Sequence, residues 1–155
     1  MHVQNPVDRE KKLDRFKQIC KNYKIKLTPQ RLVIYEELIG RNDHPSTDML
    51  YQQIQKRFPT ISFDTVHRTL LTFHEIGVAD IVEGTGNPKR FDGITERHHH
   101  FQCTHCKKII DVYHKAYDHL PVPENLQKSC RVSKQTVRFE GLCEECCSQN
   151  TPGFF

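Results

Sequence analysis

The stretch that decides the fold is 61-ISFDTVHRTLLTFHEIG-77, followed at once by 78-VADIVEGTGNPKRFDG-93. In the first segment Phe63, Val66, Leu70 and Phe73 recur at the spacing of one helical face. Ser62 supplies an N-cap and Gly77 a stop. The opposite face gathers Asp64, Thr65, Arg68 and Thr72, with His67 on its flank. The second segment reads as two short strands around a turn centred on Gly86, Asn87 and Pro88. A polar-faced helix running into a hairpin is the ending of a winged helix-turn-helix, whose later helix enters the DNA major groove. Arg68 suits guanine or phosphate, and the methyl of Thr65 suits thymine. Without the hairpin, an ordinary surface helix would be the better reading; with it, the DNA-binding reading leads.

Working outward toward the N-terminus, three more helices are predicted. Residues 8–23 carry Leu13, Phe16, Cys20 and Tyr23 at helical spacing among basic residues. "KLTPQRLVIYEELIG" begins with Thr28 as N-cap and Pro29 at the first helical position, and ends at Gly40. "HPSTDMLYQQIQKRF" is capped by Ser46 or Thr47, buries Leu50, Ile54 and Phe58, and stops before Pro59. Net charge is only +4, yet residues 1–31 hold nine Lys/Arg, Arg31 among them, against three Asp/Glu. Such a basic arm is a nucleic-acid footprint or the solvated face of an amphipathic helix.

After about residue 92 the character changes to histidines, cysteines and short β-type runs, "FQC", "KIIDVY" and "KQTVRFEGLC", with a helix beginning near Pro123. The expected fold class is therefore α+β: an N-terminal winged helix-turn-helix domain and a small C-terminal α/β domain, the boundary lying near Phe91 to Thr95. With 155 residues and 36% hydrophobic residues, two small lobes would need staples beyond their cores. No apolar run approaches membrane-spanning length and residues 1–17 lack an apolar signal core, so a soluble, cytoplasmic chain with no membrane partner is expected.

Seven cysteines in such a chain favour metal ligation or redox chemistry over structural disulfides. Cys103-x-x-Cys106 and Cys143-x-x-Cys146 form two pairs 36 residues apart, and four thiolates close the tetrahedral shell of a structural Zn²⁺. Two redox motifs are the competing reading. Cys147 is expected to point elsewhere, and Cys20 and Cys130 to be small buried hydrophobes. In 96-ERHHHFQCTHC-106, His98 and His100 project to one side of a strand and His99 to the other. The 98/100 pair offers two nitrogens to a second divalent ion. Asp92, Asp111 and His44 lie where they could join it, although spacing alone leaves them as surface residues. A mixed N/O set suits Fe²⁺, Mn²⁺ or Zn²⁺. A water-activating enzyme site is conceivable, but no nucleophile–base motif or Gly-rich substrate loop accompanies it, so no enzyme is expected.

The segments "LTPQRLVIYEEL", "HPSTDMLYQQIQKRFPTISFDTVHRTL", "EIGV", "RFD", "HHHFQCTHCKKIID" and "FEGLCEEC", in this order over nearly the whole chain, resemble the ferric uptake regulator family, most of all its peroxide-sensing branch. The resemblance implies a homodimeric repressor of operator DNA: a winged-helix domain at 1–91, a hinge at 92–97 and a dimerisation domain at 98–155. It implies structural zinc at Cys103, Cys106, Cys143 and Cys146, and a regulatory Fe²⁺ or Mn²⁺, with Zn²⁺ possible, at His44, Asp92, His98, His100 and Asp111. In the peroxide branch a ligand histidine is oxidised, and His44 and His98 are the matching positions. A plain iron-, manganese- or zinc-responsive repressor is the alternative. DNA contact falls to Thr65, His67, Arg68 and Arg31. His67 stands where family members usually carry Tyr, and Lys107 where Gly is usual. Many members have a further metal site, to which His99 and Asp118 correspond, with His119 nearby.

Overall fold

A computed structural model of the chain describes residues 6–84 and 86–149, so Thr85, beside the expected hairpin turn, lies outside the described residues. The chain divides into two compact units, with the division between Thr95 and Glu96.

The first unit contains α1 (Pro6–Asn22), α2 (Pro29–Ile39), α3 (Thr47–Arg57), α4 (Phe63–Glu75) and the strands β1 (Asp80–Ile81) and β2 (Phe91–Asp92). The helix starts follow their capping chemistry. The Thr28 hydroxyl accepts from the Arg31 N–H, Ser46 from Met49 and Ser62 from Thr65, each satisfying an amide of the first turn. Gly77, at φ +76°, turns the chain out of α4. An aromatic trio pins three helices. Phe16 of α1 stacks on Tyr35 of α2 at 4.0 Å, and Phe73 of α4 meets Phe16 edge-on at 5.2 Å. Leu38, Leu50, Ile54, Val66, Leu70 and Cys20 complete the buried core. β1 and β2 pair antiparallel, Asp80 opposite Asp92 and Ile81 opposite Phe91, at the root of a hairpin wing. Gly93, directly after β2, sits tight against α2: a Cβ there would lie 3.1 Å from the backbone of Ile39, so one of the two would have to shift by a few tenths of an ångström. Gly93→Ala is expected to cost stability by about 1–3 kcal/mol through forced displacement of α2, measurable as a lower urea midpoint.

One helix expectation needs correcting. Phe63 does not share the buried face of α4; it is 46% exposed. It sits in the first turn of the helix, beyond the edge of the core, where Tyr51 meets it edge-on and His67 lies parallel to it.

The second unit is a three-stranded sheet of order β4-β3-β5, built from β3 (His99–Cys103), β4 (Ile109–Val112) and β5 (Arg138–Gly141). β3 and β4 are antiparallel with His100 opposite Asp111, and β5 joins β3 in parallel with Cys103 opposite Gly141. A parallel neighbour requires a crossover; here it carries α5 (Lys115–Asp118) and α6 (Glu124–Ser129), and α7 (Glu144–Gln149) follows β5. Cys130 is exposed at the end of α6, contrary to the expectation that it is buried. The short α6 has no buried residue of its own, so its C-terminal cap meets solvent. Among the described residues no helix is long and apolar enough to cross a membrane.

Candidate metal centres and nucleic-acid face

The sheet brings the four cysteines of the two Cys-x-x-C pairs together. Cys103 ends β3, Cys106 lies in the turn after it, Cys143 follows β5 and Cys146 sits in α7, with their sulfurs all within 4.8 Å of one another. Zn–S bonds of about 2.3 Å place tetrahedral sulfurs roughly 3.8 Å apart. Cys106 Sγ and Cys143 Sγ are 3.7 Å apart, the spacing that ion requires of a pair of its ligands. The two knuckles are also tied by protein bonds. Cys143 N–H donates to Cys103 Sγ at 3.4 Å, Thr104 N–H to the Gly141 carbonyl at 2.8 Å, and Lys108 Nζ to Glu145 Oε1 at 2.8 Å. Burial pushes the Cys103 thiol up, but backbone N–H groups of Cys143, Cys106 and His105 outweigh it and bring it to about 6. Cys146 is pushed up to about 12 by burial and by the neighbouring thiols. The cluster thus presents one ready thiolate and one thiol that ionises only when a cation displaces its proton. Cys147 points away, its Sγ toward the Leu142 carbonyl, and His105 is exposed.

Lys107, which closes the first knuckle, has φ +64°, a conformation that costs an L-residue about 1–2 kcal/mol. Its Nζ donates to the Thr104 carbonyl at 2.7 Å, an exposed bond of small worth. Lys107→Gly is therefore expected to raise stability by up to about 1 kcal/mol after glycine's entropy cost, read as a higher denaturant midpoint of the zinc-loaded protein.

The histidine-rich stretch sorts by strand alternation. His98 Nδ1 lies 2.7 Å from the Glu96 carbonyl. A carbonyl only accepts, so Nδ1 carries the proton and Nε2 presents its lone pair. That Nε2 lies 3.0 Å from His100 Nε2 and 3.5 Å from Asp111 Oδ1, and His100 Nε2 lies 3.6 Å from the same oxygen. Metal–ligand bonds of about 2.0–2.2 Å put neighbouring donors about 3–3.5 Å apart, so these three atoms suit one ion. His99 faces the other way, fully buried: Val137 N–H donates to its Nδ1 at 3.1 Å, and its Nε2 faces Asp118 Oδ1 at 3.2 Å. Nδ1 is thus hydrogen-bonded, whereas the buried Nε2 approaches the Asp118 carboxylate without making a hydrogen bond; His119 is exposed.

The first unit brings together His44 and Asp92, both buried, with His44 Nε2 3.4 Å from Asp92 Oδ2. His44 holds φ +50°, costly for a residue with a Cβ. Two successive residues hold its loop. Arg90 Nε donates to the His44 carbonyl and Nη2 to the Asp43 carbonyl at 2.7 Å; Phe91 N–H donates to Pro45 at 2.9 Å; Asp92 follows as the carboxylate. Two hydrogen bonds from a charged donor contribute about 1.5–3 kcal/mol each, more than the backbone strain of about 1–2 kcal/mol. Arg41 forks onto Asp43 at 2.9 and 2.6 Å, and this bond holds the Asp43 carboxyl below its usual range. Arg90 is not among the sequence-predicted site residues: it lies 46 residues from His44 in the chain, and no local pattern marks the contact.

On the polar face of α4, Arg68 Nε pairs with Asp64 at 2.9 Å, both side chains largely exposed. Thr65 Oγ1 lies 2.8 Å from Ser62 Oγ. His67 is fixed by Thr47 Oγ1, 3.0 Å from its Nδ1. Arg31, in the first turn of α2, donates through Nη1 to the Lys26 carbonyl at 2.6 Å.

A winged-helix unit joined to a small sheet unit with a four-cysteine zinc site defines a class of metal-binding regulator. Residues 22–139 match the model of the ferric uptake regulator family, and the chain belongs to that family, whose members are dimeric transcriptional regulators that bind operator DNA. It is 31% identical over 126 residues to the peroxide-responsive repressor PerR of Staphylococcus saprophyticus, covering 81% of this chain and 85% of that protein. It is also 31% identical over 122 residues to the peroxide operon regulator of Bacillus subtilis, covering 79% and 84%. The fold resembles the ferric uptake regulator of Helicobacter pylori, a structure described as having three functional metal-binding sites, with a TM-score of 0.72 at 22% identity over 94% of this chain and 96% of that one. A zinc uptake regulator complexed with zinc and DNA gives a TM-score of 0.63 at 20% identity, over 91% and 96%.

Proposed function

We propose that this chain is a metal-dependent, dimeric repressor of operator DNA that senses peroxide through Fe²⁺, with Mn²⁺ as the unreactive occupant. The ion would be shared by His44 and Asp92 of the winged-helix domain (1–91) and its hinge (92–97), and by His98, His100 and Asp111 of the dimerisation domain (98–155). The observation that carries the reading is the set Nε2 of His98, Nε2 of His100 and Oδ1 of Asp111. It is preset by the Glu96 carbonyl and the strand register, and free of thiolate. The 31% identity to two peroxide-responsive regulators favours the peroxide signal. Structural zinc would occupy Cys103, Cys106, Cys143 and Cys146.

When bound, ferrous iron would supply the reduction of hydrogen peroxide that delivers an oxygen atom to a ligating imidazole. His44 and His98 are the recipients. His98 is held by Glu96 in the tautomer that ligates; His44 is held by its loop. An oxygen atom added to either ring would cost the ion that imidazole as a ligand, and with it the angle between the two domains that the ion would fix. That angle sets the spacing of two α4 helices in a dimer against half-sites about one helical turn apart, so metal and DNA affinities rise together.

On the DNA side, Arg68 would leave Asp64 at little cost, since exposed pairs contribute about 0–1 kcal/mol while a bidentate base contact gives about 1–3. Thr65, His67 and Arg31 complete the face. Exposed Tyr113, Leu120, Leu126 and Val132 supply apolar surface for the homodimer. The site of action would be the cytoplasm.

Mass spectrometry on the Fe²⁺-loaded protein after peroxide tests the reading. A peptide bearing His44 or His98 should gain one oxygen atom, and the Mn²⁺-loaded control should gain none. Unoxidised histidines with operator binding still metal-dependent would instead identify a plain metal-responsive repressor. A gel shift with the chain's own upstream DNA separates either from an enzyme.

A further inference from the structure

We infer that Arg90 is the positioning residue for the His44 ligand, and that through it the wing and the regulatory ion share one piece of backbone. The inference rests on His44 being a ligand, as proposed above. His44 is the only non-glycine residue of its loop recorded at positive φ, and it precedes a proline, which restricts its backbone further. A peptide in that state does not hold itself. The Arg90 guanidinium spans the carbonyls of Asp43 and His44, and the next amide, Phe91 N–H, takes the carbonyl of Pro45. Three consecutive carbonyls are thus captured by two consecutive residues from 46 or 47 positions away in the chain. Arg90 also pairs with Ser46 as a β-bridge, which extends the match to the N-cap of α3.

The same residue faces the wing. Its carbonyl accepts from Val82 N–H at 2.9 Å, closing the base of the hairpin loop between β1 and β2. One end of Arg90 therefore fixes the wing root, the other fixes the His44 loop, and Asp92 follows two residues later. Asp43, a carboxylate near the guanidinium, is engaged by Arg41, which leaves Arg90 as a donor to the backbone carbonyls of Asp43 and His44. The fork matters more than the charge: a lysine ammonium has no planar pair of N–H groups to span two carbonyls.

The test uses the full-length, zinc-loaded chain, Arg90→Lys, Arg90→Met and His44→Ala, with Mn²⁺ as probe. Zinc content, thermal midpoint and Mn²⁺ affinity by competition titration are measured, together with amide exchange of the 41–46 segment in Mn²⁺-free protein. Both Arg90 variants should keep zinc and their thermal transition, lose Mn²⁺ affinity by about 10- to 100-fold, as when a group that orients a metal ligand is removed, and exchange faster over 41–46 without Mn²⁺. Arg90→Lys should fall between wild type and Arg90→Met. Unchanged Mn²⁺ affinity in either folded variant overturns the inference. Loss of zinc or of the thermal transition in both variants also overturns it, since Arg90 would then be a folding residue. Wild-type Mn²⁺ affinity in His44→Ala would instead overturn the ligand assignment itself.

Discussion

Cys103→Ser is expected to leave the chain without zinc and to unfold the second unit while the first stays folded. The buried hydrophobic residues of the second unit among those described are Cys103, Ile109, Cys143 and Cys146, with Phe101 and Leu142 packed beside the cysteines. Three of the four are proposed zinc ligands, so the metal site and the core are nearly the same object. A small lobe with so little apolar burial is marginal by itself, whereas structural zinc contributes roughly 10–16 kcal/mol in comparable peptides. Removing one ligand should therefore cost most of that unit's stability. The first unit has its own core around Phe16, Tyr35, Phe73 and Leu38 and should keep a cooperative transition. Zinc content, amide exchange by unit and sedimentation give the measurement. A zinc-free variant that remained a wild-type-like dimer would refute the structural role.

His44→Ala should act in the opposite sense, sparing fold and zinc while abolishing metal-dependent operator binding. His44 is buried beside Asp92 in the first unit, remote in sequence from the four cysteines. Its removal leaves a regulatory ion with ligands chiefly from the second unit, able to bind there without constraining the first. The expected loss in operator affinity at fixed Mn²⁺ is the whole metal-dependent increment, typically about 5- to 150-fold for a coupling of 1–3 kcal/mol. The readout is a pair of operator titrations, with Mn²⁺ and with chelator, which should coincide for the variant and separate for the wild type. A variant that still needed added Mn²⁺ at wild-type concentrations would show that His44 is no part of the coupling.

Much of the first unit was legible because its signals are local. Thr28, Ser46 and Ser62 cap the helices whose starts they mark, and Val66, Leu70 and Phe73 bury as their spacing requires. Phe63 shows the limit of periodicity: a position can lie on the right helical face yet beyond the end of the core. In the second unit α5 and α7, of four and six residues, are too short to show a period. The acidic pair Glu144–Glu145, placed where a helix N-terminus favours it, was the one hint of α7. The parallel pairing of β5 with β3 joins residues about 38 apart and leaves no local mark. Among the site residues, alternation separated His98 and His100 from His99, and the Cys-x-x-C spacing grouped the thiols. The His44 loop is held by bonds from Arg90 and Phe91 across the fold, which spacing does not encode; the family resemblance had to supply His44 and Asp92 as ligands.

Strand β3 carries one further consequence. Its two sides hold incompatible instructions, cation ligands on one and a sealed histidine clasp on the other, and it delivers Cys103 at its end. The segment therefore behaves like a reading frame. Inserting or deleting a single residue between His99 and Cys103 would put the two ends out of phase: either His99 would turn away from Val137 and Asp118, or the first knuckle would leave its register with Gly141. A substitution in this stretch acts on one position, whereas a change of length would set the histidines at one end against the thiol cluster at the other.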